Sequence, residues 1–394
     1  MRVAIVKPDF GLAGGFELVL NRIAAHLDET GHDVAWLLID GKQARRQFTT
    51  RISNQLHDRA PEFVNYLAWV DAARRLDAHR ADMVISSQPP SFAVEHRRHL
   101  SVFYHHNRIF YDLDDVARRA GIVDETSHSH AVALVRRLDQ PMLDGVTHFL
   151  AGSEDIARRL ATYNARTERV GIFHAGLSVH PTETAIPDGR DRNGYPLCVS
   201  RHEFPKRTEL FVQAMKLLPD LRGAAVGSGG RLGYVQRLDA ELTTHVAAPH
   251  VRADAWLQNP GFIEPLRRPT PRSNVEFAGW VTADDLVARY RGSSCVVAPA
   301  YLEDYGLTAL EGMAFGKPVI VCTDGGYLAH LVTDGVNGLV VDPDPHALAG
   351  AIRRIHEDAA WAQQLGEAGR ALAAEFTWER ALGELDAGIE QVMA

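Results

Sequence analysis

The order of apolar and polar residues along the chain predicts strands and helices in alternation. Short runs that are apolar along their whole length are typical of parallel strands covered on both faces. Between most of these runs, apolar residues recur every three or four positions, which is the spacing of an amphipathic helix. Phe16 to Leu27 is one such helix. The strands predicted in the first half of the chain are 3–6, 33–39, 83–86, 101–104, 146–151 and 169–173.

The same alternation returns after a stretch at about 178–195, which contains proline, glycine and several charges and lacks periodicity. The strands predicted in the second half are 197–200, 224–226, 275–277, 295–298, 319–322 and 339–341. Two runs of this kind predict an α/β fold of two doubly wound, Rossmann-like domains. Ligands of such sheets bind beyond the carboxyl ends of the strands, so we expect a binding cleft between the domains.

Composition agrees with two soluble domains and argues against a nucleic-acid-binding protein. A chain of 394 residues suits two domains, and 46% hydrophobic with 23% charged residues is typical of a globular protein. A net charge of −8 argues against a nucleic-acid partner, which would need a basic surface. Three cysteines in apolar runs, Cys198, Cys295 and Cys322, are typical of core residues in a reducing compartment.

The same reading gives an expected location. The apolar run at the N-terminus is too short for a signal peptide, and no apolar stretch of about 20 residues predicts a membrane-spanning helix. We therefore expect a cytoplasmic protein, and peripheral contact with the inner membrane face remains open.

The segment with the most candidate functional residues follows the strand predicted at 295–298. A loop carries Glu303, a helix is expected to begin near Gly306, and Gly316 and Pro318 end it. A helix N-terminus has unpaired N–H groups and the positive end of a dipole, so it suits a diphosphate. Glu311 lies about one turn into this helix, so one carboxylate can accept hydrogen bonds from a sugar and the other from a ribose. The N–H groups at this terminus belong to Tyr305, Gly306, Leu307 and Thr308.

Two glutamates eight positions apart are by themselves more typical of a solvated surface. In this strand, loop and helix context, however, they resemble the E-x7-E segment of the retaining glycosyltransferases of family 4, which adopt the GT-B fold. The other marks of that family occur in the same order: Gly14-Gly15 before a helix, Arg201 to Lys206, Val226-Gly-Ser-Gly229, Phe277-Ala-Gly279-Trp-Val, Gly325-Gly326 and Asp334-Gly-Val-Asn-Gly338. The chain departs from the family at Arg207, where glycine is usual, at His330, where glutamate is usual, and at His174-Ala-Gly176, where Asn-Gly is usual.

The resemblance implies a division of the chain and a role for each marked residue. It implies an acceptor-binding domain at 1–180, a nucleotide-sugar-binding domain at 195–375, and a helix at 376–394 that packs back on the first domain. The catalytic residues implied are Arg201, Lys206, His106 and Glu303. The donor-binding residues implied are Gly15, Glu303, Tyr305, Gly306, Leu307, Thr308, Glu311, Trp280 and Val281, and the acceptor-side candidates are Gly14 and His105.

The implied reaction moves a hexose-type sugar from a UDP or GDP sugar to an acceptor hydroxyl on a glycan, a glycolipid or a small natural product. Arg201 and Lys206 would stabilise the charge on the leaving diphosphate, while Glu303 holds the sugar and Glu311 the ribose. Neither a cofactor nor a metal ion is implied. Asp112-Leu-Asp114 mimics a metal-binding motif but is interpreted as charge at a helix start, and His128-Ser-His130 is expected in a solvated loop.

Other functions would leave different signals. A nucleotide-cofactor dehydrogenase needs a G-x-G-x-x-G motif after the first strand, and Gly11, Gly14 and Gly15 do not give that spacing. A sugar-nucleotide epimerase of the GT-B fold, or a sugar-nucleotide-binding protein without turnover, remains an alternative. The base of the donor, the acceptor and the oligomeric state are not fixed by the sequence.

Overall fold

The chain forms two compact units, each with its own sheet. A computed structural model describes residues 1–9, 14–49, 53–179, 181, 194–244 and 250–394. The first unit consists of Met1–Gly176 and Thr377–Ala394, and the second of Leu177–Phe376. Gly11 and most of the linker predicted at 178–195 lie outside the described residues.

The first unit is built on a parallel sheet of six strands in the order β2-β1-β3-β4-β5-β6, counted over the described residues. This is the strand order of a flavodoxin-like doubly wound sheet with one further strand. Side chains of the central strands are buried throughout, which explains why these strands read as unbroken apolar runs. The strands are β1 (Arg2–Asp9), β2 (Asp33–Asp40), β3 (Met83–Ser86), β4 (His99–Phe103), β5 (His148–Ala151) and β6 (Val170–Ile172).

Three helices of the first unit begin after a side chain that caps them. Ser153, for example, accepts a hydrogen bond from the Ile156 N–H, and Asp124 accepts one from the Ser127 N–H. The helices that precede the second unit are α1 (Gly15–Glu29), α2 (Gly41–Thr49), α3 (Asn54–Arg59), α4 (Pro61–Arg74), α5 (Asp114–Arg119), α6 (Glu125–Asp144) and α7 (Glu154–Asn164), with short 3₁₀ turns at Ser91–Ala93 and Arg108–Phe110.

The second unit holds another parallel sheet of six strands, over the residues that the structure describes, in the order β12-β11-β10-β7-β8-β9. The first strand of this sheet, β7, lies beside the fourth, β10. The chain runs outward from this central pair in both directions, which is the topological switch point of a dinucleotide-type sheet. The strands are β7 (Tyr195–Val199), β8 (Gly223–Val226), β9 (Val275–Gly279), β10 (Ser293–Ala298), β11 (Val319–Cys322) and β12 (Gly338–Val341). Both predicted doubly wound domains are thus confirmed.

Helices cover this second sheet and close a core in which the three cysteines are buried and free, as expected. Phe211 and Met215 of the first helix and Ile352 of a later one lie fully inside that core. The helices are α8 (Thr208–Lys216), α9 (Leu232–Thr244), α10 (Ala283–Gly292), α11 (Leu307–Ala314), α12 (Tyr327–Leu331), α13 (Pro345–Glu357) and α14 (Ala359–Ala373), with 3₁₀ turns at Phe204–Lys206 and Ala255–Leu257. Among the described residues, no helix is both long and apolar enough to cross a bilayer.

The last helix, α15 (Trp378–Met393), belongs to the first unit. It packs on the sheet beside β5, where the place of a Cβ atom at Gly388 lies 2.9 Å from Leu150. His174 binds this helix through Glu384, because the His174 backbone N–H and Nδ1 atom lie 2.7 and 2.8 Å from the Glu384 carboxylate. The departure of His174 from the family pattern therefore has a structural use.

The expectation that His128 lies in a solvated loop is wrong. His128 is buried in α6, with Nδ1 3.0 Å from Glu62 and Nε2 3.0 Å from the Ile109 carbonyl oxygen. Its face of the helix continues with Ala131, Val132 and Val135, also buried, so it is the first residue of an apolar stripe at helical spacing.

Candidate functional site

The site residues of the second unit lie in loops that follow the strands of its sheet. Arg201 and Lys206 follow β7, Glu303 and Gly306 follow β10, and Trp280 follows β9. Since all these strands are parallel, the loops after them meet at one edge of the sheet. The loops after β7 and β10 carry most of these site residues. These two strands are neighbours at the switch point, where an α/β sheet most often binds its ligand.

Helix α11 begins at this edge, directly after Gly306, so the helix start predicted there is confirmed. Gly306 has a φ of +90°, and a Cβ atom added to it would lie 2.3 Å from the Leu328 side chain, so any other residue here would be strained and would displace Leu328. The N–H groups of Leu307 and Thr308 open the helix and have no partner within its own ladder. They and the helix dipole make this point suitable for an anion.

The aromatic ring of Tyr305 belongs to the core of the unit. It is 3% exposed and stacks on Tyr327 with ring centroids 6.0 Å apart. A ligand at the start of α11 can therefore meet only the backbone of this residue.

Glu303 and Lys206 form an ion pair between the loops after β10 and β7. Neither side chain is fully buried, with 15% of Glu303 and 26% of Lys206 exposed. The backbone of Glu303 is fixed on both sides, because its N–H donates to the Gly325 oxygen (2.9 Å) and its oxygen accepts from the Tyr327 N–H (3.0 Å). Two residues that the sequence places almost a hundred positions apart are thus in contact.

Glu311 is a buried carboxyl group without a cationic partner among the described residues. Its Oε2 atom accepts a hydrogen bond of 2.7 Å from the Tyr290 hydroxyl, and its Oε1 atom accepts none from the described part of the chain. Burial raises the pKa of Glu311 to about 7, against a lowering contribution from the Tyr290 hydrogen bond. The group therefore changes its charge near neutral pH.

Arg201 is exposed in a loop that is itself well supported. The Ser200 N–H donates to the Val226 oxygen at 3.0 Å, and the His202 N–H donates to the Ser228 oxygen at 2.9 Å. At Gly227 a Cβ atom would lie only 2.0 Å from the Ser200 oxygen. The loops after β7 and β8 are thus in close contact, which explains why position 227 is a glycine. That contact also fixes the backbone that carries Arg201.

Trp280 and Val281 follow β9. The Trp280 side chain is 75% exposed, whereas Val281 is half-buried. An exposed indole at a sheet edge offers a flat surface on which an aromatic base can stack.

The two histidines after β4 in the first unit differ sharply in accessibility. His106 is 1% exposed, its Nε2 atom lies 2.7 Å from Asn164 Oδ1, and its ring stacks on Tyr111 with centroids 4.1 Å apart. Burial lowers the pKa of His106 to about 4, so it is neutral at pH 7. His105 is half-buried, and its Nδ1 atom lies 2.7 Å from the His106 oxygen. Of the two, His105 has the ring that a ligand can reach.

The glycine pair of the first unit lies at the start of α1. Gly14 precedes the helix in extended conformation, and Gly15 is its first residue and is exposed. Residues 10–13, which precede the pair, are outside the described residues.

Sequence reasoning missed two residues of the site in the second unit. Tyr290 binds Glu311, and Asp324 binds the buried Arg207 beside Lys206. Neither Tyr290 nor Asp324 belongs to a recognisable motif. The only indication in the sequence was Arg207, which replaces the glycine that is usual in the family. No group of three or more metal-ligating side chains occurs among the described residues.

Comparison with known proteins identifies one family. Residues 270–372, which include β10, α11 and both glutamates, match the family described as "Glycosyl transferases group 1". A D-inositol 3-phosphate glycosyltransferase of Mycolicibacterium vanbaalenii is 28% identical over 269 residues, which are 65% of this chain and 55% of that protein. The chain spans about half the length of the curated relatives that it matches first.

Solved structures of other proteins share the fold. Sucrose-phosphate synthase from Thermosynechococcus elongatus superposes with a TM-score of 0.69 at 19% identity, over 100% of this chain and 99% of that one. Anabaena HepE, in a complex with UDP-glucose, superposes with a TM-score of 0.65 at 18% identity, over 100% and 99%. The chain thus has the GT-B fold, with two parallel six-stranded sheets, and its residues 270–372 match the group 1 glycosyltransferase family.

Proposed function

We propose that the protein is a retaining glycosyltransferase that moves a hexose-type sugar from a nucleotide diphosphate sugar to an acceptor hydroxyl. The contact of Lys206 with Glu303, beside the start of α11, carries this proposal. A cation, a carboxylate that would bind sugar hydroxyls and a helix N-terminus would then be neighbours, and together they suit a nucleotide sugar. Neither an epimerase nor a binding protein without turnover is favoured by any observation of the structure.

The donor would lie along the edge of the second sheet. Its diphosphate would meet the N–H groups of Leu307 and Thr308, and its ribose would donate to Glu311 Oε1. The exposed Trp280 ring would stack on the base. UDP-glucose is the first donor to test, because HepE, which shares this fold, was crystallised with it.

The reaction breaks the bond between the sugar C1 atom and a diphosphate oxygen and forms one between C1 and the acceptor oxygen. Charge grows on the departing diphosphate, and fixed cations aimed at it are the main source of acceleration. Arg201 and Lys206 would supply that charge, Arg201 by a fork onto two oxygens and Lys206 as a point charge. Following the family resemblance, the acceptor proton passes to the leaving phosphate oxygen, and attack on the same face retains the configuration at C1.

The first unit would bind the acceptor. Gly14, Gly15 and the accessible His105 are its candidate contacts, and His106 would act only through the fold, because it is enclosed by aromatic rings. Relatives are named for D-inositol 3-phosphate, so this compound belongs in the acceptor panel together with lipid-linked saccharides and small alcohols.

A thermal-shift screen with UDP, GDP, UDP-glucose, GDP-mannose and NAD tests the class of ligand. A specific nucleotide stabilises the folded state by mass action, about 2.7 kcal/mol at a hundredfold excess over its Kd. We expect a shift with one nucleotide and its sugar and none with NAD. A flat response to every nucleotide would refute the proposal.

Product analysis then tests the reaction. We expect transfer from the stabilising donor to one member of the acceptor panel, with the anomeric configuration of the donor preserved. Inversion at C1 would refute the retaining reaction, and conversion of the donor without an acceptor would identify an epimerase.

A further inference from the structure

Arg207 is a buried arginine at a position where the resemblance led us to expect glycine. It lies between Lys206 and the first residue of α8 and has a φ of +51°, in the left-handed region. Its side chain is 1% exposed. A long charged side chain in a backbone conformation that glycine adopts more easily needs strong contacts to hold it.

The guanidinium group of Arg207 binds two other loops of the sheet edge. Its Nε atom donates to the Pro299 oxygen at 2.6 Å, and Nη2 donates to the Ala300 oxygen at 3.2 Å. Both Nη atoms also fork onto the Asp324 carboxylate, at 2.9 and 2.5 Å. The loops after β7, β10 and β11 are therefore joined through one side chain.

Two aromatic rings enclose the same group. Its central carbon lies 5.2 Å from the Trp256 ring centroid and 5.5 Å from that of Tyr301. Both distances are in the range of cation–π contacts, which strengthen when water is excluded. Carbonyl oxygens, a carboxylate and two ring faces thus form a pocket shaped for a guanidinium.

The loop that Arg207 binds leads directly to Glu303. After Pro299 and Ala300, the Tyr301 N–H donates to the Pro205 oxygen (2.7 Å) and the Leu302 N–H to the Asp324 oxygen (3.0 Å). Leu302 has a φ of +46°, an uncommon conformation that places the turn just before Glu303. The stretch that leads into Glu303 is therefore held by Arg207 itself, at Pro299 and Ala300, and by the loops that carry Pro205 and Asp324.

We infer that Arg207 is a positioning residue that holds Glu303 against Lys206 and so makes the site selective for the sugar portion of the donor. The inference rests on the proposed function. Arg207 itself is enclosed by protein groups and would not touch the donor. Its removal should release the loop at 299–303 and leave α11, Glu311 and Trp280 in place. Binding of the nucleotide alone should then survive, while recognition of the attached sugar is lost.

The test compares Arg207→Gly with Arg207→Lys in the full chain, with binding of UDP and UDP-glucose measured by calorimetry and transfer measured by turnover. Glycine accepts the backbone conformation and empties the pocket, whereas lysine keeps the charge but cannot fork. We expect R207G to bind UDP as the wild type does, to lose the added affinity for UDP-glucose, and to lose about 100-fold in kcat. R207K should show the same loss of sugar recognition.

Rescue by a small molecule separates positioning from stability. Guanidinium or methylguanidine at non-denaturing concentration should restore sugar binding and turnover to R207G, whose pocket is empty, and not to R207K, whose pocket is filled. Sodium chloride at the same ionic strength should restore neither. The control variant is Arg353→Ala, which removes another forked pair, with Asp220, on α13 outside the site; its sugar recognition should equal that of the wild type.

Several results would overturn the inference. Equal losses of UDP and UDP-glucose affinity in R207G would show a general structural role, and so would a loss of activity that guanidinium does not restore. If R207G does not fold, R207K decides, and wild-type sugar recognition in R207K would refute the role. A wild-type protein that binds neither UDP nor any other nucleotide would instead refute the proposed function, which keeps the two failures distinct.

Discussion

Replacement of Glu311 by glutamine should change how the stability of the second unit depends on pH. The pKa of this carboxyl group is about 7 in the folded protein, because burial raises it, against an ordinary value of 4.5. In the unfolded chain the group is ionised above about pH 4.5, whereas in the folded chain it keeps its proton until about pH 7. Unfolding between these values therefore releases a proton, and the free energy of unfolding falls as the pH rises.

The size of the effect follows from the two pKa values. One pKa unit corresponds to 1.36 kcal/mol, so ionisation of Glu311 lowers the free energy of unfolding by about 3 kcal/mol above pH 7. Most of this loss, about 2 to 3 kcal/mol, occurs between about pH 5 and about pH 8. Glutamine cannot ionise, and its oxygen can still accept the hydrogen bond from Tyr290. The buried amide of glutamine lowers stability by an amount that does not depend on pH. The test is therefore how steeply the free energy of unfolding changes with pH, and not its absolute value.

Urea unfolding of the wild type and E311Q at several pH values between about 5 and 8 measures this slope. The difference in free energy of unfolding should shift in favour of E311Q as the pH rises. Asp139 in the first unit also has a pKa raised to about 7, by burial, and is common to both proteins, so it cancels in the difference. Curves that stay parallel over the whole range would refute the idea that Glu311 is buried and protonated in the folded protein at low pH.

Three further predictions concern the proposed site. Arg201→Ala should lower kcat by about 100- to 1000-fold with the unfolding temperature unchanged, because Arg201 is exposed and is proposed to act on the leaving group; normal turnover would refute its role. Gly306→Ala should cost about 2 kcal/mol in urea unfolding and weaken nucleotide binding, whereas Gly335→Ala, also at positive φ but with open space around it, should cost less and leave binding intact; equal effects would show that contact with Leu328 is unimportant. Excess EDTA should leave turnover unchanged, because Arg201 and Lys206 are proposed to supply the charge, and a loss that Mg²⁺ reverses would contradict this.

Sequence patterns located the strands of both sheets because buried parallel strands are apolar along their whole length. The predicted strands at 83–86 and 319–322 match the observed ones residue for residue. The start of α11 was also predictable, since a glycine after an apolar run marks both the turn and the helix. These features depend on neighbours in sequence, and local composition records them well.

Burial of single polar residues was not predictable in the same way. His105 and His106 are adjacent and chemically identical, yet only the packing of Tyr111 and Asn164 determines which ring is enclosed. The contacts of Arg207 come from Trp256 and Asp324, each at least 49 positions away along the chain. A motif carries no information on such distant partners. The sequence therefore indicated that position 207 was unusual, but it did not indicate which residues Arg207 contacts.

The assignment of α15 to the first unit has a consequence for the order in which the protein folds. During synthesis, residues 177–376 emerge before the helix at Trp378–Met393 that covers β5. The second unit is a continuous stretch and can fold as soon as it has left the ribosome, whereas the first must wait for the final helix with part of its sheet, including Leu150, uncovered. The first unit, although it is made first, is therefore expected to be the last to complete its core and to keep apolar surface exposed for longer during synthesis.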